Sequence, residues 1–231
     1  PLNVVADMGG GAMSMALGIL AGVYEARNSG NGQVVDISMT EGSAYLALGV
    51  YGMAAVGDYN HERMSNVLDG GAHFYRCYET KDNKFVSIAS IEAKFYDLLL
   101  EKTGLKDEEN LPDQFDQSQW PEMSKRLAAV FKKKTRDEWC EIMEGSDVCF
   151  APVLTFNEAP DHPHNKARGT FIDVEGVAQP NPAPRFSRTP GSVKGAAPEV
   201  GADTREGLLA WGFDAAEVDT LIEEKAVGWQ G

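Results

Sequence analysis

The segment Val4-Val5-Ala6-Asp7-Met8-Gly9-Gly10-Gly11 sets a carboxylate between a short apolar run and three glycines. If the run is a strand, Asp7 sits at its C-terminal edge, where open α/β folds hold ligands. A carboxylate there can move a proton or attack a thioester carbonyl. The glycines allow close approach of a substrate and offer amide donors at a helix N-terminus. On pattern alone a plain helix N-cap is the simpler account of Asp7. The glycine run also lacks the GxGxxG spacing of a dinucleotide site.

A second acid, Glu92, stands just past a predicted hairpin at the start of a helix, where complementing the helix dipole is the simpler role. Of the four histidines, His162 and His164 flank Pro163 with no third metal ligand in pattern. His73, in Gly71-Ala72-His73-Phe74, fits a loop-packing role; His61 belongs to a polar stretch. Cys77, Cys140 and Cys149 form no CxxC pair, which excludes a disulfide scaffold and a cysteine-rich zinc site and suits a reducing compartment. There is no nucleophile elbow and no P-loop. Met8, Met13, Met15, Met39, Met53 and Met64 crowd the N-terminal part; helix-spaced Met is usually core filler, though flexible Met also lines tolerant acyl pockets.

The elements that must position these groups alternate. A strand over 3–6, a loop at 7–11 and a helix over 12–26 are predicted, the helix with Met13, Leu17, Leu20 and Tyr24 on its apolar face. A strand over 33–39 and a helix over 41–56 follow, the order of an open α/β layer. A polar crossover at 57–71 leads to a hairpin, 74–79 and 84–90, around Lys81-Asp82-Asn83. Helices are predicted over 92–102 and 121–134, then from the Thr135/Glu138 capping box through Met143. Prolines and glycines accumulate over 157–201, as in a surface connection. Asp214 and Glu217 open a last helix over 215–225.

The chain has 231 residues, 43% of them hydrophobic, enough for one good core with a smaller lobe. The balance of 21 basic against 35 acidic residues, net −14, disfavours nucleic acid and anionic membranes as partners. No uninterrupted apolar run approaches the roughly 20 residues of a membrane helix. The C-terminal Gly228-Trp229-Gln230-Gly231 is no peroxisomal address. The chain opens without Met on a segment read as a strand that needs a sheet to pair with, so upstream sequence is expected.

Taken together, several motifs resemble family III CoA-transferases (the CaiB/BaiF superfamily), and within them the acyl-CoA racemase branch. They are Pro1-Leu-Asn-Val-Val-Ala-Asp-Met-Gly-Gly-Gly-Ala-Met13, Gly32-Gln-Val-Val-Asp36, Met39-Thr-Glu-Gly42, Leu68-Asp-Gly-Gly71, Tyr75-Arg-Cys-Tyr-Glu79, Ile91-Glu-Ala-Lys-Phe-Tyr96 and Pro184-Arg-Phe-Ser-Arg-Thr189. They run in family order along almost the whole chain and match the C-terminal part of a family member.

The resemblance implies an α/β fold: a partial Rossmann-like large domain over 1–60, a small α+β domain over 61–170, and a connection returning to the large domain over 171–231. It implies an interlocked homodimer whose active sites lie between the large domain of one subunit and the small domain of the other. Asp7 matches the proton-transfer aspartate. Glu92 matches a glutamate that supports a catalytic histidine. Asn3, Leu68, Tyr75 and Ile91 match positions around the substrate, with Gly9 and Gly10 as oxyanion loop. That histidine would precede Pro1, and none of the four here matches it, so the chain alone is expected to be inactive.

The implied activity is 1,1-proton transfer at the α-carbon of a 2-methylacyl-CoA through an enolate, in cytoplasmic fatty-acid metabolism. No metal and no redox cofactor is implied, CoA being part of the substrate. Burial is expected to raise the pKa of Asp7. Two alternatives stand beside this: CoA transfer with Asp7 as nucleophile, and a non-catalytic piece acting in dimerisation. Exposed apolar surface is expected where an upstream part would pack.

Overall fold

The computed structural model describes residues 2–228. Pro1, where the first family motif begins, and Trp229–Gly231, which carry most of the C-terminal tetrapeptide, lie outside the described residues. The chain falls into two compact units, Pro1–Val153 and Leu154–Gly231.

The core of the first unit is built on the predicted hairpin. β1 (Tyr75–Glu79) pairs antiparallel with β2 (Phe85–Ala89), Tyr75 opposite Ala89 and Cys77 opposite Ser87. Asn83 takes the left-handed conformation the tight turn needs, at φ 59°, and the Thr80 amide donates to the Lys84 carbonyl at 2.8 Å. A third strand, β3 (Phe150–Val153), joins the free side of β2 and gives the order β1-β2-β3. The sequence reading left this strand out. It is four residues long and contains Pro152, which an edge strand accepts and a central strand does not.

Alternation sends Tyr78, Val86 and Ile88 to the buried face. Helices α4 (Ala93–Thr103), α5 (Trp120–Phe131) and α6 (Arg136–Met143) supply most of the remaining core, with Ala72, Phe74, Leu105 and Val148 from the connections. Leu99, Leu127, Phe131, Trp139 and Met143 are buried in it. Phe131 lies between Tyr78, stacked at 5.0 Å, and Trp139, edge-on at 4.9 Å. The Thr135/Glu138 capping box opens α6 as expected, with both reciprocal bonds made.

The N-terminal part departs from expectation. Instead of a strand and a glycine loop, Val4–Met13 forms π-helical turns that run directly into α1 (Ser14–Ser29). The predicted strand over 33–39 is extended chain without a ladder, and Met39 already opens α2 (Met39–Leu46). The physical reason is shared: a strand leaves its polar backbone unpaired unless a neighbour takes it up, and no strand among the described residues pairs with either segment. A helix satisfies its backbone locally. The predicted 41–56 helix is broken at Ala47 into α2 and α3 (Leu48–Ala55).

Gly10 and Gly42 let the first helix and α2 meet backbone to backbone; a Cβ on Gly42 would fall 1.8 Å from the Gly10 carbonyl oxygen. The continuous helix Val4–Ser29 spans 26 residues with a mean hydropathy of 1.5 over its most apolar stretch, long and apolar enough by length and composition to cross a membrane. This corrects the expectation that no segment reaches that length: Ser14 and the glycines break the apolar run in the sequence but do not interrupt the helix. Met13, Leu17, Leu20 and Tyr24 are exposed on it.

In the second unit a short 3-10 turn, Ala159–Asp161, precedes α7 (Pro163–Arg168), which is capped by His162 and closed by Gly169. The proline-dense stretch, expected to be plain connection, contains a two-stranded hairpin, β4 (Phe171–Val174) with β5 (Val177–Pro180), turning at Glu175-Gly176. Two helices close the unit, α8 (Thr204–Ala210) and α9 (Ala215–Glu223). The Asp214/Glu217 capping box opens α9 as expected.

Candidate active site

Leu68 and Tyr75 come together. With Met64, Gly70, Arg76, Cys77, Ser87, Ile88 and Ala89 they line an open cleft of about 390 Å³ along the β1-β2 hairpin. Strand register explains three of these residues: Tyr75, Cys77 and Ser87 share one face of the hairpin, because opposed residues point the same way. Cys77 and Ser87 were not singled out in the sequence, although the period-two pattern of the hairpin already placed them beside Tyr75.

The turn that carries Leu68 is built by Asp69. Its carboxylate accepts from the Asn66 amide at 2.8 Å, the Asn66 side chain at 2.8 Å and the Gly71 amide at 3.1 Å. Partial burial works to raise the Asp69 pKa, but these bonds and one from Ser65 together hold it below the ordinary carboxylate value. Gly71 is buried, and a Cβ there would come within 2.8 Å of the Met64 and Asn66 carbonyl oxygens. The Leu68-Asp-Gly-Gly motif is thus a compact turn whose glycine is required by close approach.

Ile91 and Glu92 follow β2 directly. The Ser90 amide donates to the Phe74 carbonyl at 2.9 Å, and the Ser90 hydroxyl donates to the Val148 carbonyl at 2.6 Å. The buried Gln114 side chain donates to both the Ser90 carbonyl, at 3.1 Å, and the Ile91 carbonyl, at 2.8 Å. Gln114 was missed in the sequence, since a lone Gln in a polar loop gives no signal. Glu92 is the N-cap residue of α4, yet its carboxylate makes no capping bond. That side chain is exposed. Burial, then the negative charge of Glu92, pushes the Cys149 thiol up, with Lys94 opposing.

Asp7 lies in the first helix and is exposed, contrary to the expected burial. Asn3 Nδ2 donates to Asp7 Oδ2 at 3.0 Å. Gly9 and Gly10 are helical rather than looped, so their amides are engaged along the helix. The candidates therefore form three local groups: Asp7 with Asn3, Leu68 with Tyr75, and Ile91 with Glu92. No hydrogen bond among the described residues joins the Asp7 group to the other two. His162 Nδ1 accepts from the His164 amide at 3.3 Å, a local cap at the start of α7. His73, expected in loop packing, is fully buried in the core.

A carboxylate oriented by an amide, an open apolar cleft and a second carboxylate released from capping are parts suited to acid–base chemistry on an apolar substrate. The family model of CoA-transferase family III matches residues 2–204, and the chain belongs to that family. A CAIB/BAIF family protein from Brucella suis has the same fold, with a TM-score of 0.67 at 22% identity over 92% of this chain and 55% of that one.

Within the family, the chain is 46% identical to alpha-methylacyl-CoA racemase from Mus musculus over 230 residues, 98% of this chain and 60% of that protein. It is 43% identical to the Homo sapiens protein of the same name over the same shares. The chain thus spans about 60% of the length of these curated relatives.

Proposed function

We propose that this chain works within an α-methylacyl-CoA racemase, an isomerase that inverts the α-carbon of a 2-methylacyl-CoA thioester. The observation that carries this reading is the 46% and 43% identity to two racemases along 98% of the chain. Inversion needs one proton-transfer group on each face of an enolate. Asp7 is assigned one face, with Asn3 orienting its carboxylate. The opposite face requires a second group, which none of His61, His73, His162 and His164 matches, so the activity is proposed for a protein that supplies it. Glu92 supports that group. Leu68 and Tyr75 are assigned to the acyl cleft, and Ile91 to the acyl path beside Glu92.

The finer architecture proposed is a Rossmann-like large domain over 1–60, resumed after 171, and a small domain over 61–170, in a cytoplasmic homodimer acting in fatty-acid metabolism. CoA enters as the handle of the substrate, with no metal or redox cofactor. The charge of −14 favours neither nucleic acid nor an anionic membrane as partner.

Family membership equally supports a second reading, CoA transfer. There Asp7 attacks the thioester carbonyl, CoA thiolate leaves, and a mixed anhydride forms on the Asp7 carboxylate. One experiment separates the two. A protein carrying this chain and the remaining family motifs is given one enantiomer of a 2-methylacyl-CoA in D2O, with and without succinate. Racemisation predicts deuterium at the α-carbon and inversion without an acceptor. Acceptor-dependent CoA transfer without exchange would overturn it.

A further inference from the structure

His73 is fully buried and stands between the turn that carries Leu68 and the strand that begins at Tyr75. Its Nε2 lies 2.8 Å from the Tyr96 hydroxyl, and its own carbonyl accepts from the Tyr78 hydroxyl. Its Nδ1 has no partner. Tyr96 sits on the first turn of α4, and its amide donates to the Glu92 carbonyl at 3.0 Å. The His73–Tyr96 hydrogen bond therefore links the segment between Leu68 and Tyr75, two residues that line the cleft, to the first turn of α4 that follows Glu92.

We propose that the His73–Tyr96 pair is a positioning device for the candidate active site, setting Glu92 and Ile91 in register with the Leu68–Tyr75 wall of the cleft. This rests on the reading of Glu92 and the cleft as parts of that site. The imidazole works in its neutral state. Of the two neutral tautomers, the one protonated at Nε2 donates to the Tyr96 oxygen and leaves Nδ1 an unpaired acceptor. The other accepts from the Tyr96 hydroxyl and leaves Nδ1–H without a partner, so the bond to Tyr96 is kept in either neutral form. A second proton, on Nδ1, would have no acceptor either.

The titratable groups that bond His73 are hydroxyls, Tyr96 from α4 at the ring and Tyr78 from β1 at the backbone carbonyl. Asp113 and Asp97 act on Tyr96, and Arg76 acts on Tyr78. Burial alone then pushes the imidazole down to about 4, so the pair persists unchanged across the neutral range.

The test uses hydrogen exchange on the full chain and steady-state kinetics on the complete enzyme, for Tyr96→Phe and His73→Gln. Gln retains a donor at the Nε2 position. Tyr96→Phe is expected to speed exchange at the Phe95 and Tyr96 amides at least tenfold while the α5 and α6 amides keep their wild-type rates. It is also expected to lower kcat about tenfold with KM nearly unchanged. His73→Gln, which can still bond Tyr96, should keep both the α4 exchange rates and kcat close to wild type. Uniform acceleration across the core, or wild-type exchange at α4, would overturn the proposal. So would an unchanged kcat in an active enzyme. A wild-type enzyme without racemase activity would instead sink the functional reading, while the exchange pattern still decides whether the pair positions α4.

Discussion

Lowering the pH from 7 toward 4.5 should destabilise the first unit through one group, His73. Its folded pKa is about 4 against an ordinary 6.5, because burial penalises the imidazolium. The unfolded chain takes up a proton near pH 6.5 that the folded chain refuses until about 4. Stability is thus complete above 6.5 and is lost as pH falls from 6.5 to 4. The difference of 2.5 units, at about 1.36 kcal/mol each, gives an upper bound of roughly 3 kcal/mol. Three acids with lowered pKa, Asp69, Asp82 and Glu138, also favour the folded state, but their contribution is lost only as pH falls below the ordinary values of 3.8 and 4.5. The window from 6.5 down to 4.5 therefore reports mainly on His73 among these groups. Urea unfolding at half-unit pH steps, followed by fluorescence of the buried Trp120 and Trp139, measures it. The wild-type midpoint should drop steadily across this window, and His73→Gln should flatten the slope. Equal slopes in the two proteins would refute the assignment of a buried neutral imidazole.

Two further changes test how the site is held. Gln114→Leu removes both donors to the Ser90 and Ile91 carbonyls and should cost about 2 kcal/mol in urea unfolding, because two acceptors lose their partners in the interior; a loss under about 0.5 kcal/mol would show that Gln114 does not hold this segment. Gly42→Ala drives a methyl into the Gly10 carbonyl and should separate α2 from the first helix, lowering the thermal midpoint by several degrees. An unchanged midpoint would contradict the backbone contact.

What could be read from the sequence was what local chemistry decides. The 74–90 hairpin alternates and turns on Asp82-Asn83, and the Thr135/Glu138 and Asp214/Glu217 boxes announce their helices. Segments 3–6 and 33–39 look like strands because they are short and apolar, but strand formation needs a partner that no periodicity reveals, and helix or extended chain results. β3 and the 171–180 hairpin were hidden by brevity and by prolines. The family motifs point to Leu68, Tyr75, Ile91 and Glu92, of which the structure brings Leu68 and Tyr75 into one cleft. Gln114 and the His73–Tyr96 bond join residues 23 apart in sequence, a pairing that spacing does not reveal.

The central claim is proton transfer by Asp7. The most direct measurement is deuterium wash-in at the α-carbon of a single 2-methylacyl-CoA enantiomer, comparing wild type with Asp7→Asn in the complete enzyme. Racemisation through Asp7 predicts inversion with deuterium incorporation in wild type and a loss of at least a hundredfold in the variant, whose amide cannot take up the proton. Wash-in and inversion near the wild-type rate in Asp7→Asn would contradict it.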